Sequence, residues 1–200
     1  MSVTRKTFGV RQLVLAALLT AIVVVLQLIA NFVQPVPGVS ITFVLVPVVI
    51  GAALLGPWVG AWLGLVFGAV VLISGGATAF LPIHPAGTVV TVLVKGFCAG
   101  LCAGLVYQLL EKVNAYLAVF AAAAVCPIVN TGLFFVGCRL FFWETIRAWG
   151  AAAGYENVFA FMVLGLAGIN FLIELGINML LAPVILRLVN LGRSTWGKTA

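Results

Sequence analysis

The chain has 200 residues, 64% of them hydrophobic and only 7% charged, with a formal net charge of +6 and a mean hydropathy of +1.31. A soluble domain carries about 25% charged residues, and a soluble chain this apolar would expose large apolar patches. The composition excludes a water-soluble globule and implies an all-α, polytopic membrane protein. The basic residues sit at the ends of apolar runs, where they set topology and meet anionic lipid, so the positive charge does not imply nucleic acid.

A spanning helix needs about 20 mostly apolar residues. The chain predicts a single domain over 1–200 with six transmembrane helices, at about 10–31, 40–55, 57–74, 86–110, 115–138 and 158–188. The first run follows Arg5 and Lys6 as in a signal peptide. It is too long for one and shows no small-x-small cleavage site, which predicts a retained helix. Gly56-Pro57 separates the second and third runs and predicts a tight turn between antiparallel helices. One unbroken helix over both runs would overshoot a bilayer at about 1.5 Å per residue. With six spans, Arg5, Lys6, Arg11, Lys112, Arg187, Arg193 and Lys198 fall on one side, and only Arg139 and Arg147 on the other, near Glu144 and Glu156. That asymmetry predicts both termini in the cytoplasm.

Three outer loops are expected, at 32–40, 74–85 and 141–157. They mix proline, glycine and aromatic residues, a composition that suits lids over a site opening outward. Trp143, Trp149 and Tyr155 in the third also suit an interfacial belt. Small residues recur at helical spacing: Gly60, Gly64 and Gly68, then Gly96, Gly100 and Gly104. Such rows let helix backbones approach closely. Ala17 and Ala21 have the same spacing on the first helix and suit internal packing and partner docking equally. Cys98, Cys102, Cys126 and Cys138 all lie in apolar runs and read as small packing residues, with neither a metal site nor a disulfide framework expected.

The polar residues inside the apolar runs carry the functional expectation. Asn170, Glu174 and Asn178 stand at i, i+4 and i+8, one stripe on one helix face. A carboxylate in hydrocarbon is costly unless it faces protein, water or a ligand, so the stripe is expected to point inward. Lys95 lies deep in the fourth run and suits either a pair with Glu174 or a contact to an anionic ligand. Asn130, after Pro127, suits interhelical hydrogen bonding or a pocket wall. Arg139 suits an entrance guard or a headgroup anchor, and Gln27, Asn31 and His84 fall toward the outer side. Catalysis finds little support, because the chain has no aspartate, four glutamates and one histidine. A Walker A motif is missing, so any ATP-driven work needs another polypeptide. No cofactor is expected.

The chain resembles the substrate-binding subunits (S components) of energy-coupling factor transporters, a group of prokaryotic vitamin importers. The likeness covers nearly the whole length. It is carried by the size, the six predicted spans, Leu13–Ala21 with Ala17 and Ala21, Leu55-Gly-Pro-Trp58, Lys95-Gly96 with Gly100 and Gly104, and Asn170, Glu174, Asn178 and Pro183. The resemblance implies a non-enzymatic membrane subunit that captures one vitamin at an outward-facing pocket. It implies that Ala17 and Ala21 dock on a transmembrane coupling subunit, and that two cytosolic ATPases drive inward delivery. It makes Gln27, His84, Lys95, Asn130, Arg139, Asn170, Glu174 and Asn178 substrate-binding candidates. The lysine leans the ligand toward an anion, pantothenate or folate, while a net neutral, amide-rich site would suit riboflavin-like ligands. A standalone proton-coupled transporter and a small lipid-handling enzyme remain as alternatives.

Overall fold

The computed structural model describes residues 9–32, 43–166 and 168–197. Arg5, Lys6, Lys198 and most of the first predicted outer loop lie outside the described residues, as do the side chains of Asn31 and Arg193. All regular structure among the described residues is helical. Its elements are α1 (Val10–Phe32), α2 (Leu45–Leu55), α3 (Pro57–Ile73), α4 (Pro85–Leu110), α5 (Ala115–Phe141), α6 (Trp143–Ala152) and α7 (Val158–Ala160). A π-helical segment, Phe161–Leu166, follows, and α8 runs over Gly168–Gly197.

Four stretches are long and apolar enough to cross a membrane: Val10–Ala30, Pro85–Leu110, Ala115–Phe141 and Asn170–Gly192. The sequence predicts six full spans, whereas α2 and α3 form a shorter apolar pair of 11 and 17 residues. The division between them follows from Gly56, whose φ of 103° only glycine adopts without strain. Pro57 then starts α3, where its missing N–H costs nothing.

The glycine rows are a packing seam. A Cβ on Gly64 would overlap the carbonyl oxygen of Gly96, and a Cβ on Gly100 would overlap that of Gly60. A Cβ on Gly68 would sit 2.7 Å from the carbonyl oxygen of Val92. These pairs run in opposite directions along the chain, so α3 and α4 lie antiparallel with their backbones in contact. Around them Ala99, Ala103, Ala118, Ala122, Cys126 and Ala182 fill the core with small side chains. α1 lies outside against α2 and α3. It buries Leu19, Val23, Gln27 and Ala30 on one stripe and leaves Leu13, Leu18, Val25 and Ile29 exposed.

Two regions differ from the prediction. The third outer loop contains α6, an amphipathic helix that buries Ile146 and Gly150 and exposes Glu144 and Arg147. Ile146 packs with Phe142, Phe161 and Met162, and that burial is what orders the segment. The last predicted span is interrupted. Val158–Ala160 passes into the π-helical turn before α8 begins, and Gly168 lies where a Cβ would overlap the carbonyl of Val163. Such wide turns accompany functional sites more often than plain helix does.

Candidate functional site: a polar chamber under aromatic rings

A cavity of about 470 Å³ opens at the end of the bundle that holds α6 and the 74–84 connection. Seven elements and that connection build it. α4 contributes Thr88, Thr91 and Lys95, which share one helix face at i, i+3 and i+7. α5 adds Asn130, Thr131 and Phe134, and α8 adds Asn170, Phe171 and Glu174. Gln27 reaches the wall from α1, and Phe67 and Val71 from α3. The upper rim is Gly75–Phe80, Phe142, Trp149 of α6 and Leu166 of the π-helical turn.

Polarity is layered by depth. Lys95 stands about 15 Å along α4 from Pro85, and Asn130 about 16 Å back along α5 from Phe141, at about 1.5 Å per residue. The charged and amide groups therefore lie deep, with Phe67 and Phe134 beside Lys95, and Phe142 and Trp149 lie near the helix ends. Phe80 anchors the roof, with its ring 5.7 Å from Phe134, 5.0 Å from Phe142 and 5.6 Å from Trp149, all edge-on. Each such pair adds about 0.5–1.5 kcal/mol beyond burial.

The deep layer has one cation. Lys95 Nζ lies 5.8 Å from the ring centre of Phe67 and 5.4 Å from that of Phe134, within cation–π range of both. Glu174 lines the same chamber and is 8% exposed. Asn130 and Thr91 are 5% and 7% exposed. Asn130 Oδ1, Thr91 Oγ1 and Asn170 Oδ1 make no hydrogen bond among the described residues. A buried polar atom left in that state costs about 1–3 kcal/mol, which a ligand offering the right group would relieve.

Of the residues singled out in the sequence, Gln27, Lys95, Asn130, Asn170 and Glu174 converge on this chamber. Asn178, Arg139 and His84 are not on its wall. Asn178 shares the stripe of Asn170 and Glu174 but lies a turn below Glu174, fully buried, donating its Nδ2 to the Glu174 carbonyl at 2.8 Å. Eight residues of helix cover about 12 Å, and the cavity ends before the stripe does. Arg139 is exposed and lies over the Trp143 ring at 4.4 Å. His84 caps α4: its Nδ1 accepts from the Gly87 N–H at 2.9 Å, and its ring packs on Phe141. Trp149, read as a belt residue, lines the roof instead. Thr88 and Thr91 were not singled out, although their spacing to Lys95 places them on its helix face.

Ala17 and Ala21 are exposed on α1, away from the chamber. Beside them Trp62 of α3 donates its indole N–H to Thr20 at 3.3 Å. A second groove of about 570 Å³ is lined by apolar residues of α1, α2 and α8 such as Leu18, Ile22, Pro47 and Leu188.

Apolar helices of this length, enclosing a chamber of charged and amide groups, define a multi-pass helical membrane protein with a small-molecule cavity at one end. A family model described as ECF transporter, substrate-specific component, matches residues 11–186. The chain belongs to that family. It is thus a substrate-specific component of a transporter. No curated protein and no solved structure matches the chain.

Proposed function

We propose that the chain captures a carboxylate-bearing micronutrient, pantothenate first and folate second, in the chamber around Lys95. The observation that carries this reading is a lysine beside Phe67 and Phe134, deep in a cavity lined by amide and hydroxyl groups as well as rings. A carboxylate placed there gains a charge-assisted contact that water competes for weakly. Gln27, Asn130, Asn170 and Glu174 would grip the rest of the polar head. Arg139 and His84 would act only at the rim, and Asn178 as support beneath the floor.

Exposed Arg11, Lys112 and Arg187 lie at the end of the bundle opposite the chamber. By the positive-inside rule that end faces the cytoplasm, so both termini lie inside and the chamber opens outward through a prokaryotic plasma membrane. On this reading α2 and α3 complete a six-span bundle as a short hairpin. Ala17 and Ala21 meet a transmembrane coupling subunit, and two cytosolic ATPases supply the energy for inward delivery. Close approach of a partner helix needs small residues that face outward, as these two do.

Uptake of labelled pantothenate and folate by cells co-expressing the chain with a coupling subunit and its ATPases tests the scheme. Uptake should need the ATPases, and Ala17→Arg should abolish it while the purified variant still binds ligand. Uptake that persists without the ATPases would replace this reading with a proton-coupled carrier.

A further inference from the structure

The charges and the orphaned acceptors of the chamber constrain the ligand more narrowly than a lysine alone. A carboxylate offers only acceptors. Placed on Lys95, it would satisfy the cation and leave Asn130 Oδ1 and Asn170 Oδ1, which make no hydrogen bond among the described residues, still without donors. Each buried acceptor left bare weakens binding on the order of tenfold. A plain anion is therefore a poor match, and the head group must also bring donors.

Asn130 stands on α5 and Asn170 on α8, two helices in contact. Each asparagine side chain offers an oxygen acceptor and an NH₂ donor. A trans secondary amide has its N–H and C=O pointing in opposite directions, so it suits two such side chains on different helices. One accepts from the amide N–H through its Oδ1 and the other donates to the amide carbonyl through its Nδ2, so the amide satisfies one of the two asparagine oxygens where a plain carboxylate satisfies neither. Thr91, 7% exposed and on the face of Lys95, with a hydroxyl that makes no hydrogen bond among the described residues, can donate to the same carbonyl or to the carboxylate. Above this layer the chamber turns apolar and aromatic, at Phe80, Phe142 and Trp149.

We infer that the ligand is an N-acyl amino acid, bound head down, with its carboxylate on Lys95, its amide between Asn130 and Asn170, and its acyl group under the Phe80 roof. This rests on the capture reading above and narrows it from any carboxylate to one with an amide a few bonds away. Pantothenate and folate both have such a head.

Three matched probes test it on the full chain in lipid nanodiscs, by equilibrium dialysis. N-Benzoyl-β-alanine has both groups, phenylvalerate lacks the amide, and N-propylbenzamide lacks the carboxylate. The complete probe should bind at least tenfold more tightly than either of the others. Its advantage over phenylvalerate should shrink severalfold in Asn130→Ala and in Asn170→Ala, and its advantage over N-propylbenzamide should vanish in Lys95→Met. Melting temperatures near wild type would confirm that these variants fold. Equal binding of phenylvalerate and the complete probe overturns the inference, as does an advantage untouched by both asparagine variants. A vitamin panel separates the two levels: tight binding of a carboxylate vitamin with no amide near it, such as lipoate, sinks this inference and leaves capture standing, whereas binding of nothing, or only of ligands without a carboxylate, sinks both.

Discussion

The two faces of α4 do opposite things. One carries Gly96, Gly100 and Gly104 and closes on α3 so tightly that backbone meets backbone. The other, about 150° away round the helix at 100° per residue, carries Thr88, Thr91 and Lys95 and lines a chamber of about 470 Å³. The difference lies in side-chain size and polarity, not in backbone. In a membrane little hydrophobic force drives helices together, so close packing of small residues supplies the rigidity. The seam is the fixed wall against which the polar face can be held ready for a ligand.

Substitutions on the two faces should therefore fail differently. The largest effect belongs to the seam. Gly64→Leu or Gly96→Val puts carbon onto the facing carbonyl, and overpacking of this kind costs typically about 1–3 kcal/mol, occasionally more. The melting temperature in detergent should fall sharply and the yield of monodisperse protein should collapse. On the polar face, Lys95→Met should leave melting unchanged and weaken ligand binding about 10- to 150-fold, the equivalent of about 1.5–3 kcal/mol for a hydrogen bond to a charge. Unfolding of Lys95→Met would mean that the lysine is structural, and the contrast between the two faces would dissolve.

Smaller effects sharpen the boundary of the chamber. His84→Ala removes the α4 cap and should cost about 0.5–2 kcal/mol in stability, with affinity changed by less than about threefold. Asn178→Ala loses one buried hydrogen bond of about 1 kcal/mol. In calorimetry its affinity should stay closer to wild type than that of Asn170→Ala on the same stripe. Arg139→Gln loses an exposed cation–π contact with Trp143 and should cost about 0.5–1 kcal/mol in stability. A loss of affinity in Arg139→Gln as large as that in Lys95→Met would restore the arginine to the binding site.

Much of the scaffold is written locally and can be read that way. Hydropathy gives the helices, Gly56-Pro57 gives the break, and four-residue spacing gives the glycine seam and the Asn170–Glu174 face. Spacing assigns a residue to a face but not to a depth. The sequence alone groups Asn178 with Asn170, yet only the end of the cavity separates them. His84 and Arg139 read as rim polar groups because their local partners, the Gly87 N–H and the Trp143 ring, are set by backbone and rotamer geometry. The roof was the least legible part. Phe80, Phe134, Phe142 and Trp149 come from four segments, and α6 is ordered by packing on Phe142 and Phe161 more than by any propensity of its own.

The central claim is that the chamber around Lys95 is where substrate binds. Native mass spectrometry of the purified chain beside Lys95→Met tests it most directly, after incubation with equal concentrations of pantothenate and folate. Wild type should carry one vitamin per chain, and the equally well folded variant should carry almost none. Equal occupancy in the two would place the substrate elsewhere and contradict the account.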